Sequence, residues 1–262
     1  MLIVILMLVV GLVLGLVGGG GAVLLVPILV YVVGKDVVSA TACALFIVGI
    51  TSLIGSINLG IKKLVDYKIV LLFVLPSMAT IYLVRRFLIP AIPDLILEVG
   101  TWQLTKHLFI MLLLAVVLIA SSYNMIWGNV QSTSKEEKQK INYLLIVAVG
   151  ILVGIMAGIV GSGGGFMIIP ALVMFAGVPM RLAIGTSLSI IAINSLFGFA
   201  TDVIHAPYLE WNFLLYCSSF TVLGMLAGIY LSNFISSIKL KKTFGFIALA
   251  TGICILGVEF LR

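Results

Sequence analysis

Two apolar stretches of more than thirty residues, at roughly 2–33 and 143–177, each carry a glycine run near the middle. These are Gly18-Gly19-Gly20-Gly21 and Gly161-Ser162-Gly163-Gly164-Gly165. At about 1.5 Å per residue, a straight helix of that length would exceed about 45 Å. The hydrocarbon core of a bilayer is only about 30 Å thick. Glycine costs about 1 kcal/mol per helix position relative to alanine, so four or five together break a helix. Each stretch is therefore expected to form two half-helices around irregular backbone.

The solvent follows from what surrounds these breaks. Six further apolar segments lie at roughly 37–60, 69–84, 108–127, 182–204, 212–235 and 243–260. Hydrophobic residues make up 63% of the 262 positions and charged residues 9%, with a mean hydropathy of +1.34. Soluble domains run at about 45–50% apolar and roughly 25% charged. This chain cannot cover itself with polar groups, so its solvent is the lipid bilayer. Soluble catalysis, secretion and nucleic-acid binding are excluded. The net charge of +6 sits in short connections, where loop lysines and arginines belong. The N-terminus is apolar from Met1 and lacks a basic leader, so it reads as structure and not as a cleavable signal. Cys43, Cys217 and Cys254 all fall within apolar runs and are expected to be free, buried thiols. Trp102, Trp127 and Trp211 sit at segment ends, as interfacial aromatics do.

Sliding the chain by 143 residues, without a gap, places Gly15–Pro27 on Gly158–Pro170. The same register pairs Gly34 with Gly177, Leu45 with Leu188, Ser52 with Ser195 and Gly55 with Gly198. The expected fold is an all-α polytopic membrane protein of about eight segments, built as two four-segment repeats. The halves are residues 1–130 and 142–262, joined by a polar linker over 131–141. Two topologies stay open. If every segment crosses, the basic residues divide nearly evenly between the two sides. If the first and fifth segments fold back as hairpins, ten lie on one side: Lys62, Lys63, Lys68, Lys135, Lys138, Lys140, Arg181, Lys239, Lys241 and Lys242. Lys35, Arg85, Arg86, Lys106 and Arg262 face them. That asymmetry is the one the positive-inside rule favours, and it would make the repeats inverted, as in many transporters.

Broken backbone in mid-membrane leaves N–H and C=O groups that need protein, water or ligand. The half-helix after each break points its N-terminus at the break, with about half a positive charge. Two such ends would attract an anion without a buried lysine or arginine. Gly18, Gly19, Gly20, Gly21, Gly161, Ser162, Gly163 and Gly164 are therefore candidate binding positions. The helices that follow add neutral polar groups: Thr41, Cys43, Thr51 and Ser52, then Thr186, Ser187, Ser189, Asn194 and Ser195. Asp202 and His205, near the end of the sixth segment, are candidates for proton coupling. Glu259 and Arg262 read as a terminal charge pair or as solvated groups.

Competing explanations exist for several features. Gly11-x-x-x-Gly15, Gly154-x-x-x-Gly158 and Gly224-x-x-x-Gly228 have the spacing of close helix packing. Gly161-Ser162-Gly163 resembles part of the rhomboid-protease Gly-x-Ser-Gly motif, but Val160 stands where that motif needs glycine. No nucleophile–histidine arrangement and no metal-ligand spacing is evident, so the chain reads as a non-enzyme without cofactor. The expected partners are a small anionic substrate and the lipid bilayer, with no nucleic acid. A homo-oligomer is compatible with the composition.

The twin Gly-x-x-Gly-x-Gly-Gly-x5-Pro motifs, Gly15–Pro27 and Gly158–Pro170, resemble those of the sulfite exporter TauE/SafE family. Ala183-Ile-Gly-Thr-Ser-Leu188, with Asn194 and Gly198, adds to the likeness. The first half departs from it, with Thr41-Ala-Cys-Ala-Leu45 at the equivalent place. The resemblance implies a bacterial-type inner-membrane transporter of sulfite, sulfoacetate or other organosulfonates. An anion channel of the same architecture and a non-transporting membrane scaffold are the alternatives.

Overall fold

The computed structural model describes residues 1–93, 95–99, 102–127, 143–160, 165–174, 178–203 and 210–260. The linker, Gly161 to Gly164 and His205 lie outside these residues. Helix α1 (Leu2–Val17) ends where Gly18 adopts the left-handed conformation, at φ 76°. Glycine enters that region without steric penalty. Helix α2 (Ala22–Pro27) follows, and the chain passes into a π turn over Ile28–Val32. Asp36 then opens α3 (Val37–Ile61) by accepting the Ser39 N–H at 3.0 Å. Asp66 caps α4 (Tyr67–Leu83) in the same way, through the N–H groups of Lys68 and Ile69. These caps satisfy donors that a helix start leaves orphaned.

Helix α4 does not stop at its charged end. It runs through a second π turn, Val84–Leu88, into α5 (Ile89–Ala91), so Arg85 and Arg86 lie on the helix and not in a loop. Strands β1 (Leu95–Val99) and β2 (Trp102–Thr105) form a short antiparallel hairpin. Apart from this short pair, the described elements are helices, as expected of an all-α membrane protein. The remaining helices are α6 (Lys106–Trp127), α7 (Tyr143–Val160), α8 (Gly165–Met174), α9 (Met180–Val203), α10 (Trp211–Ser232) and α11 (Ser237–Phe260).

Helix directions can be read from the side chains and backbones that meet. Leu45 lies against Gly198, Gly55 against Leu188, and Ser56 Oγ is 2.6 Å from Ser189 Oγ. Helices α3 and α9 therefore cross antiparallel. Ser77 meets Asn194, Ile81 meets Gly198 and Arg85 meets Asp202, so α4 and α9 run parallel. Gly150, Gly154 and Gly158 follow Phe73, Ser77 and Val84, so α7 runs with α4. Helix α10 begins at the Lys35 end of α3, where Lys35 Nζ is 3.3 Å from Glu210 Oε1 and Trp211 packs on Phe46. It therefore runs with α3. Helix α1 runs with α10, because Leu8 and Leu12 abut Gly224 and Gly228 in order.

With α1 and α3 pointing the same way, the segment between them must carry the chain back. It does so at once: a Cβ on Gly21 would lie 2.2 Å from the Val10 carbonyl oxygen, beside α1. Helices α7 and α9 likewise share a direction, so α8 returns the chain between them.

The three small-x-x-x-small pairs are packing surfaces. Cβ atoms at Gly11 and Gly224 would lie 1.9 and 2.1 Å from the carbonyl oxygens of Thr221 and Leu8. Without a hydrophobic drive between helices in lipid, such close backbone approach is what holds them together. Large apolar side chains such as Ile5, Leu71, Leu75, Leu215, Leu223 and Ile253 are exposed on the outer faces. Leu14, Leu25, Leu45, Phe73 and Met111 fill the interior. Helices Val37–Ile61, Tyr67–Ala91, Met180–Val203 and Trp211–Ser232 are long and apolar enough to cross a membrane, and shorter apolar helices accompany them.

Two sequence expectations need correction. Cys43 and Cys217 are free and buried, but Cys254 is free and exposed on an outer helix face. Glu259 is neither solvated nor part of a pair with Arg262, which lies outside the described residues. Its side chain is 5% exposed, and it accepts hydrogen bonds from Tyr31 Oη at 2.7 Å and from His107 Nε2 at 3.1 Å. This cluster ties the π turn after α2 to α6 and α11.

Candidate functional site

Helices α3 and α9 cross near their midpoints, and the crossing is polar. Thr51 and Ser52 on α3 lie level with Asn194 and Ser195 on α9, and all four are fully buried. Thr51 Oγ1, Ser52 Oγ, Asn194 Nδ2 and Ser195 Oγ have no hydrogen-bond partner. The Asn194 amide oxygen is occupied, accepting from Ser77 Oγ at 2.9 Å. A buried polar atom left unpaired costs about 1–3 kcal/mol. Four at one level therefore call for a reason beyond packing, such as water or ligand. Ser218 Oγ on α10, Asn58 Oδ1 further along α3 and Arg85 Nε share the same condition.

The first glycine break lies beside this crossing. Ser187 Oγ on α9 donates to the Gly18 carbonyl at 2.5 Å. A Cβ on Gly18 would meet Ile184 at 2.7 Å. One on Gly19 would lie 2.6 Å from the Gly165 carbonyl oxygen, and one on Gly165 would lie 2.9 Å from the Gly19 carbonyl oxygen. The first break thus touches the N-terminus of α8 at Gly165, the last residue of the second glycine run. Both lie against Ile191 of α9, about one turn before Asn194.

Not every candidate joins this centre. Thr186 is buried at the opposite end from Lys35, where its Oγ1 accepts the Asp66 backbone N–H at 3.0 Å. Thr41 bonds its own helix at Val38, and Ser189 bonds Gly185 and Ser56. Cys43 is buried on α3, nearer the Lys35 end. Asp202 forms an ion pair with Arg85, whose side chain is 6% exposed. Asp36, at the same end, is held below the ordinary carboxylate range. Burial opposes this, but hydrogen bonds from the backbone and side chain of Ser39 outweigh it.

Sequence reasoning missed Arg85 and Ser77. The available signal for Arg85 was its setting: Ile81-Tyr-Leu-Val-Arg-Arg-Phe-Leu-Ile89 is apolar on both sides of the arginines. That pattern suits a helix extending past the hydrocarbon better than it suits a loop. The π turn at this point is a feature that often marks functional positions.

A bundle with apolar outer faces, a polar unpartnered centre and broken helices beside that centre has the construction of a multi-pass membrane transporter. The chain belongs to the sulfite exporter TauE/SafE family, whose model it matches over residues 3–255. It is similar to a probable membrane transporter protein of Xylella fastidiosa, at 30% identity over 257 residues, 94% of this chain and 91% of that one. It is also similar to the probable membrane transporter protein YunE of Bacillus subtilis, at 26% identity over 82% of this chain and 81% of the relative. A probable membrane transporter protein of Methanocaldococcus jannaschii matches at 33% identity over 117 residues, 42% of this chain and 43% of that one. No solved structure matches. The protein is a multi-pass membrane protein in contact with the bilayer, and it handles a small molecule.

Proposed function

We propose that the protein is a secondary transporter that moves a small sulfur-containing oxyanion, sulfite or an organosulfonate, by alternating access. The observation that carries this reading is the set of unpartnered donors at the α3–α9 crossing. Neutral hydroxyls and an amide N–H can bind an anion and release it again, whereas a buried lysine or arginine at the midplane would hold it and would itself be costly.

Several features support two inverted repeats, residues 1–130 and 142–262. Exchanging α1, α3 and α4 for α7, α9 and α10 maps the α1–α10 packing onto the α4–α7 packing. It also maps the Leu45–Gly198 contact onto Gly55–Leu188. Each helix runs opposite to its counterpart, and Thr51-Ser52 corresponds to Asn194-Ser195. In this reading α3, α4, α6, α9, α10 and α11 cross the membrane, while α1–α2 and α7–α8 are re-entrant. The Lys62 end then holds ten of the fifteen basic residues and faces the cytoplasm. Asp202 is the candidate proton acceptor.

Uptake of radiolabelled sulfite into proteoliposomes, with organosulfonates as competitors, tests the reading. Saturable, competed uptake is expected. Flux linear in concentration would point to a channel. No anion flux from folded, inserted protein would overturn both.

A further inference from the structure

The 143-residue register equates Thr51 with Asn194, and the two lie level at the α3–α9 crossing. Five positions from them towards the Lys35 end stand Phe46 on α3 and Phe199 on α9. Five positions towards the Lys62 end stand Ser56 and Ser189. Each step is about 7.5 Å along its helix. The register exchanges Phe46 for Ser189 and Phe199 for Ser56, so one contact of the repeat is made in two different chemistries. At the Lys35 end the rings of Phe46 and Phe199 are 4.9 Å apart, and Trp211 of α10 stands edge-on to both, at 5.8 and 6.1 Å. At the Lys62 end the two hydroxyl oxygens are 2.6 Å apart. Tyr67 heads α4 as Trp211 heads α10, but its hydroxyl lies over Gly60, where a Cβ would meet it at 2.8 Å.

A cavity of about 620 Å³ lies at the Lys35 end between α3, α4 and α9. It reaches Ala42 on α3 and Thr201 on α9, and Phe46 and Phe199 come within about one turn beyond them. Below the rings, Thr51, Ser52, Asn194 and Ser195 are fully buried. The aromatic layer therefore stands between a cavity and the polar centre. Each of its ring pairs favours the packed arrangement by roughly two- to tenfold beyond the apolar area it covers. One neutral hydrogen bond nets about as much as one such pair. Trp211 also directly follows Glu210, whose pairing with Lys35 at 3.3 Å ties the approach to α3 to the head of α10.

We propose that Phe46, Phe199 and Trp211 are the gate that closes the crossing from the Lys35 side. The Ser56–Ser189 pair is its weaker counterpart at the Lys62 side. Because three ring pairs oppose one hydrogen bond, the empty protein opens more often towards the Lys62 side. The proposal rests on the alternating-access reading and adds to it the residues that gate each side.

The test uses the full chain with Cys43, Cys217 and Cys254 replaced and Ser52→Cys introduced, in oriented vesicles without substrate. The rate of modification by a membrane-impermeant methanethiosulfonate is measured from each side. The Lys62-side rate is expected to exceed the Lys35-side rate about tenfold. Adding Phe46→Leu keeps an apolar side chain but removes two ring pairs, so the Lys35-side rate should rise about fivefold or more, with no rise at the Lys62 side. Trp211→Leu also removes two ring pairs, at a half-exposed position, and carries the same expectation if Phe46→Leu fails to fold. A merely structural aromatic cluster would lower the melting temperature and leave both rates where they were. Equal rates before the ring substitutions, a faster Lys35-side rate, or rates unmoved by both ring substitutions would each overturn the proposal. Shifted rates without sulfite uptake by the unaltered chain would uphold the gate and overturn the transport reading. Saturable sulfite uptake with unmoved rates would do the reverse.

Discussion

Asn194→Leu is expected to lower anion uptake by roughly tenfold to a hundredfold while the protein still folds and inserts. That range corresponds to about 1.5–3 kcal/mol for one hydrogen bond to a charged group. Asn194 is fully buried on α9, and its Nδ2 has no partner within the protein. Its Oδ1 accepts from Ser77, but Ser77 Oγ also reaches the Val74 carbonyl at 3.0 Å and keeps that bond without Asn194. Removing an unsatisfied amide and placing leucine between packed helices should therefore change stability by no more than about 1 kcal/mol. A purely structural asparagine would show the opposite split, with stability falling and uptake per folded molecule unchanged. Uptake in proteoliposomes and the melting temperature of the purified variant, read together, separate the two.

Gly18→Ala should destabilise the protein by about 2–5 kcal/mol. Gly18 has φ 76°, where a side chain costs about 1–2 kcal/mol, and its Cβ would lie 2.7 Å from Ile184, adding an overpacking cost of about 1–3 kcal/mol. Gly34 supplies the control, with φ 78° and nothing within 4 Å of a Cβ. Gly34→Ala should therefore show only the conformational part, about 1–2 kcal/mol. Thermal melts of the two variants isolate the close approach of the first break to α9. Equal losses would mean that Gly18 serves only to end α1.

The parts of this architecture legible in the sequence are those fixed by local chemistry. Glycine runs break helices whatever surrounds them, so the end of α1 at Gly18 could be expected from length and glycine content, whereas the direction of the chain beyond it could not. The 143-residue register placed Ser52 and Ser195 at equivalent points, and α3 and α9 bring them to one level. Thr186 lies away from the crossing, and in sequence a hydroxyl beside a glycine motif looks the same whether it faces a pathway or caps a neighbouring turn, as it does at Asp66. The Arg85–Asp202 pair joins residues 117 positions apart, and only the parallel packing of α4 on α9 creates it. Treating two adjacent arginines as the end of a membrane segment hid it further. Helices continue past the hydrocarbon, and arginine tolerates that depth when its charge is paired. Glu259 was read as a terminal charge for a related reason, since its partners Tyr31 and His107 come from distant segments.

The central claim is that the α3–α9 crossing is reached alternately from the two sides of the membrane. Replacing Cys43, Cys217 and Cys254 and introducing Ser52→Cys or Ser195→Cys allows this to be measured with a membrane-impermeant methanethiosulfonate on oriented vesicles. Each single cysteine should be modified from either side, and more slowly when an organosulfonate is present. Modification from one side only, or from neither, would contradict the account.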